Sequence, residues 1–199
     1  MSTLFKKKDV IPTTQYEKID EFALDMASLA KPMVRYTFVL TAIVFVLHLF
    51  INGFPTLTVS GFIFGLLLFI LFYILLIFLH ELCHLIGFLL FTSSTFSSLT
   101  IGLNLKKGIA YATTSEYMTI KGARKSIMLP FWLTGIMPLI AGIYFDLLPL
   151  TLVSASLLVG AIADIMMDRK LKTLDKDLFI LDSTTEPKFS IYRKKESLN

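Results

Sequence analysis

From Val59 to Phe91 the chain reads "VSGFIFGLLLFILFYILLIFLHELCHLIGFLLF", with no lysine, arginine or aspartate and a single glutamate. An apolar run of this length has few outlets. As an α-helix it extends about 50 Å at 1.5 Å per residue, against a bilayer hydrocarbon core of about 30 Å. It is long enough to cross a membrane and too long to do so straight, so its far end is expected to tilt, break or emerge from lipid. That end holds "HELCHLIG", which places two histidines and a glutamate within five positions.

Three further apolar runs, Met33 to Ile51, Ser126 to Phe145 and Leu147 to Met167, are long enough or nearly long enough to span. Hydrophobic residues make up 55% of the 199-residue chain and charged residues 17%, an apolar share above that of an ordinary soluble domain. The expected fold is an all-α membrane protein, one polytopic domain over 1–199. Its membrane helices are expected at 33–51, 59–91, 126–145 and 147–167, with an N-terminal segment 1–32 and a tail 168–199. "NGFPTLT" at 52–58 has the chemistry of a tight turn, and Asp146 with Pro149 separates the last two runs.

Lysine and arginine then set direction, because short loops that carry them stay on the cytoplasmic side. Six lie in residues 1–35, five in 92–125 and eight after Met167, while the two short hairpins have none. The expected location is the cell membrane, multi-pass, with both termini and the 92–125 loop cytoplasmic. The net charge of +4 is spread among acids and flanks the spans, which points to the lipid bilayer as partner and not to nucleic acid. The single cysteine, Cys83, excludes an internal disulfide and leaves the redox compartment open. No apolar core follows the first lysines directly, so a cleaved signal peptide is not expected.

On a helix His80 and His84 share one face and can reach one metal ion, and Glu81 lies beside them. In an H-E-x-x-H site the carboxylate need not bind the metal; it can take a proton from a water that zinc has acidified. A catalytic zinc has three protein ligands as a rule, so a third must come from elsewhere. Asp164, inside the apolar "LLVGAIADIMMD", is the leading candidate, because a carboxylate in a span is costly unless paired, wetted or bound to a metal. Asp168 is one turn further on, Glu116 lies in the loop, and His48 falls in the opposite leaflet under the assigned orientation. Asp164 has an alternative role as an ion-pair partner of Arg124 or Arg169. Cys83 points away from the histidine pair and reads as packing.

With these residues placed, the chain resembles a small family of bacterial membrane proteins described as zincin peptidases. The shared features, in this sequence, are "HELCH", the loop "SLTIGLNLKKGIAYATT", "AIADIMM" and the tail "DLFILDSTTEPKFSIYRKK". The resemblance implies zinc peptidase activity. More distantly, the layout is similar to the site-2 protease family, which uses two histidines, a glutamate and an aspartate from a later helix. Here Ile165 follows Asp164, where that family normally has glycine, and the Asn-Pro element is absent.

Residues 98–121 alternate apolar and polar on both sides of Lys106-Lys107-Gly108, as a β-hairpin-like surface loop between the second and third helices would. Its edge is a candidate to hold an extended peptide. "DLFILD" and "KFSIYRKK" predict a second hairpin in the tail, and "TQYEKIDEFALDMASLA" an amphipathic helix against the inner leaflet. The function expected from all this is a zinc metalloprotease acting on a peptide or membrane-protein substrate at the cytoplasmic membrane border. His80, His84 and Asp164 are its expected Zn2+ ligands and Glu81 its general base. The rival readings are a non-catalytic accessory or immunity-type protein with a structural metal, Asp168 supplying a fourth ligand, and an ion pathway through His80, Glu81 and Asp164.

Overall fold

The structure, a computed structural model, describes residues 15–104, 109–183 and 188–195. Strand β1 (Tyr16–Ala23) leads into helix α1 (Met26–Asn52), and α2 (Val59–Phe91) follows a six-residue turn. A short 3-10 turn precedes the strands β2 (Leu99–Asn104), β3 (Ile109–Thr114) and β4 (Met118–Thr119). The third long helix has three parts: α3 (Ile120–Pro130), a π-helical turn (Phe131–Ile136) and α4 (Met137–Tyr144). The fourth comprises α5 (Leu148–Gly160) and α6 (Ile162–Lys172), and strands β5 (Phe179–Asp182) and β6 (Lys188–Lys194) end the described chain. Four helices, Met26–Asn52, Val59–Phe91, Ile120–Tyr144 and Leu148–Lys172, are long and apolar enough to cross a membrane.

The helices start where capping residues place them, not where the apolar runs begin. Asp25 accepts from the amides of Ala27 and Ser28, so α1 opens at Met26, and the Thr119 hydroxyl accepts from the Gly122 amide, so α3 opens at Ile120. The long α2 neither breaks nor leaves the helical state. Its first half is largely exposed, as at Phe62 and Phe64, with Phe69 and Phe72 packed beside Val153 and Leu157, while Leu76, Cys83, His84, Gly87 and Phe88 in its second half are buried. A helix exposed along one half and enclosed by protein along the other accounts for how one element carries both a greasy run and a polar motif.

Helix α5 lies at the centre, its residues Thr151, Val153, Ser154 and Ala155 fully or almost fully buried. Close approach elsewhere depends on glycine. A Cβ at Gly87 would stand 2.7 Å from the Ser126 Cα, and one at Gly122 would stand 2.3 Å from the Phe91 carbonyl oxygen. These two positions let α2 and α3 pack almost backbone to backbone, a mode of contact that membrane helices favour.

Two expectations change. The all-α description gives way to helices with six strands among the described residues, a four-stranded antiparallel sheet in the order β1-β6-β5-β4 and the two-stranded β2-β3 hairpin. The segment expected as an amphipathic helix instead begins as β1, paired with β6 from Tyr16↔Lys194 to Ala23↔Lys188. Pairing across almost the whole chain overrides the local pattern: Phe22 packs on Phe189, ring centroids 5.5 Å apart, beside a core of Phe88, Met118, Leu171, Ile180 and Ile191. The hairpins expected at 98–121 and in the tail are present as β2-β3 and β5-β6, although the Lys106-Lys107-Gly108 turn and most of "STTEP" lie outside the described residues.

Candidate metal centre

His80 and His84 lie four residues apart on the enclosed half of α2, with ring centroids 5.0 Å apart and planes at 79°. Asp164 reaches them from the first turn of α6, just after the helix is interrupted at Ala161. Its carboxylate stands 3.3 Å from His80 Nε2 and 3.6 Å from His84 Nε2, and the three ligand atoms lie within 4.8 Å of one another. Side-chain exposure is 15% for His80, 11% for His84 and 19% for Asp164, so the cluster is enclosed but not sealed.

The hydrogen bonds on the far side of each ring decide which nitrogen faces the cluster. His84 Nδ1 lies 3.4 Å from the Ser126 carbonyl oxygen, which can only accept, so Nδ1 carries the hydrogen and donates. His80 Nδ1 lies 3.3 Å from Thr134 Oγ1, and that hydroxyl donates its own hydrogen to the Pro130 carbonyl at 2.8 Å. Thr134 therefore accepts from His80. With Nδ1 carrying the hydrogen behind each ring, the neutral form of each histidine presents Nε2 to the Asp164 carboxylate as the atom free to bind a metal.

In that form three electron-pair donors face one point, and a cation placed among them turns their mutual repulsion into attraction. The set fits zinc. Nitrogen and oxygen ligands sit at about 2.1 Å in a tetrahedral site, which separates neighbouring ligand atoms by about 3.4 Å. The two carboxylate contacts bracket that separation, and two imidazoles with one carboxylate form a three-ligand set of the open, catalytic type.

The remaining candidates have other surroundings. Asp168, 5% exposed, receives Arg124 Nε at 2.7 Å on one oxygen and Lys172 Nζ at 2.8 Å on the other. Arg124 thus pairs with Asp168 and not with Asp164. Glu116 lies in the turn between β3 and β4, outside the cluster. His48 is buried beside the α4-α5 turn, 3.1 Å from both Thr151 Oγ1 and Asp146 Oδ1. Glu81 is half-buried next to His80 and lies within electrostatic reach of His80 and Asp164. Sequence reasoning missed Ser126 and Thr134, the groups behind the two rings. Their one advance signal was a pair of prolines, Pro130 and Pro138, inside an apolar span.

No curated protein and no solved structure matches the chain. A family model described as "Putative zincin peptidase" matches residues 73–178, which contain His80, Glu81, His84, Thr134 and Asp164. The match does not extend to the site-2 proteases. Because it covers just over half of the sequence, the chain belongs to this zincin peptidase family.

Proposed function

We propose that this protein is a membrane-embedded zinc metalloprotease that hydrolyses peptide bonds of a peptide or membrane-protein substrate near the cytoplasmic border of the cell membrane. The observation that supports it most is the convergence of two Nε2 atoms and a carboxylate, one ligand atom from each residue, within 4.8 Å of one another. His80, His84 and Asp164 would hold the ion. When bound, zinc supplies Lewis acidity, polarising a carbonyl and making water a better nucleophile near neutral pH.

The chain's own residues do the rest. Glu81 takes a proton from the attacking water as its oxygen bonds to the carbonyl carbon, then delivers a proton to the leaving nitrogen as the C–N bond breaks. Water is consumed, and the products are a carboxylate and an amine. The ion pairs on both oxygens of Asp168 argue against a fourth carboxylate ligand and so against a closed structural site. The β2-β3 hairpin, packed beside the last turns of α2, is a candidate edge for an extended peptide.

Glu81→Gln should keep zinc and lose peptide hydrolysis by about 100-fold or more, the scale of a general acid–base contribution. His80→Ala should lose both. Metal analysis of the purified variants beside a peptide-cleavage assay reads the two effects separately, and full activity of Glu81→Gln would exclude the mechanism.

A further inference from the structure

We propose that Pro130 and Thr134 are positioning residues for the two histidines, a strip of the third helix that fixes both rings with Nε2 toward the ion. The inference rests on the metal reading above and adds what orients its ligands.

In an α-helix the carbonyl of residue i accepts from the amide of residue i+4. Residue i+4 from Ser126 is Pro130, which has no N–H. The Ser126 carbonyl therefore lacks its helical donor in a place where Ser126 is fully buried and water cannot substitute. An unsatisfied carbonyl inside an apolar span costs several kcal/mol, so the position calls for another donor. His84 Nδ1 is at 3.4 Å, brought close because Gly87 lets α2 approach Ser126. Alanine at position 130 would restore a backbone N–H that competes with His84 for that oxygen.

The same proline serves the second ring through its carbonyl. The Pro130 oxygen accepts the Thr134 hydroxyl hydrogen at 2.8 Å, which leaves Oγ1 as an acceptor for His80 Nδ1 at 3.3 Å. Thr134 is 2% exposed and lies in the π-helical turn, a departure from α geometry that occurs often at functional sites. Residues 126, 130 and 134 thus form one ladder. In antiparallel register, its early rung meets His84 and its late rung His80. Partners behind a ligating imidazole fix its tautomer and orientation, and their loss typically weakens metal binding 10- to 100-fold.

The test titrates Co2+ alone into the purified full-length protein in detergent, followed by its visible absorption, with the melting temperature of each metal-free variant measured alongside. Pro130→Ala should weaken Co2+ binding about 10-fold or more. Its metal-free melting temperature should hold or rise, because alanine is the better residue inside a helix. Thr134→Val should weaken binding similarly, and Thr134→Ser, which keeps the hydroxyl, should recover most of it. Binding within about 3-fold of wild type for both Pro130→Ala and Thr134→Val would overturn the proposal. So would a Pro130→Ala protein whose metal-free stability falls along with its affinity. His80→Ala serves as the control: loss of binding there with none in the other two refutes the ladder alone. Retained binding in His80→Ala refutes the metal reading and the ladder with it.

Discussion

One helical turn separates Asp164 from Asp168, and their surroundings give them different work. Asp168 meets Arg124 and Lys172 and ties α6 to α3, while Asp164 meets two imidazoles and, among the described residues, no lysine or arginine. A third carboxylate, Asp182 on β5, lies outside the membrane helices, and burial pushes its pKa up to about 7 although the Ser183 amide donates to it at 2.9 Å. A raised carboxyl pKa means that the folded protein binds the proton more tightly than the unfolded chain. The associated stability is fully present below the unfolded value and is lost as pH rises from about 4 to about 7. Wild-type protein should therefore melt at a lower temperature at the top of that window than at the bottom, and Asp182→Asn should flatten the dependence. Melting curves across the window check it; an unchanged slope in the variant would exclude Asp182 as the titrating group.

Helices and strands were not equally legible. The four long apolar helices could be read because hydropathy is local: twenty apolar residues announce a candidate span wherever the rest of the chain goes. The histidine pair could be read because i and i+4 share a helix face, and Asp164 because a lone acid in a span needs a reason. Strand β1 was hidden because "YEKIDEF" becomes a strand only beside β6, and no local pattern announces a partner so distant. The supports behind the two rings were hidden because one is a backbone carbonyl, and a sequence does not show which carbonyls have lost their donors.

At the level of these elements, glycine decides how near α2 comes to α3. Gly87→Ala would place a Cβ 2.7 Å from the Ser126 Cα and should cost about 1–3 kcal/mol of stability, the range for an overpacked interior. It should also weaken metal binding, since the displaced backbone holds the Ser126 carbonyl. Gly65→Ala, on the exposed half of the same helix with nothing within 4 Å, should instead hold or raise stability, by up to about 1 kcal/mol. Thermal unfolding of the two variants side by side distinguishes an effect of contact from one of helix propensity.

Across the entire fold, one end gathers the four-stranded sheet, the start of α1 and the lysine-rich end of α6, and the other end has the two short turns. The proposed orientation puts the sheet in the cytoplasm, and the sole native cysteine, Cys83, is buried and so leaves little background for thiol labelling. A cysteine introduced at Lys176 should be protected from a membrane-impermeant maleimide in intact cells and labelled in inverted vesicles. Phe54→Cys, in the α1-α2 turn, should behave in the opposite way. The reverse pattern would invert the topology and place the site at the other border.

The pairing of β1 with β6 has a consequence for biogenesis. β1 precedes its neighbour β6 by more than 160 residues, so it stays unpaired until the four long helices and β6 have all been made. Latching of the sheet in that sense reports that the intervening helices have been made: a nascent chain that lacks β6 leaves Phe22 without its cover and β1 open to quality-control proteases.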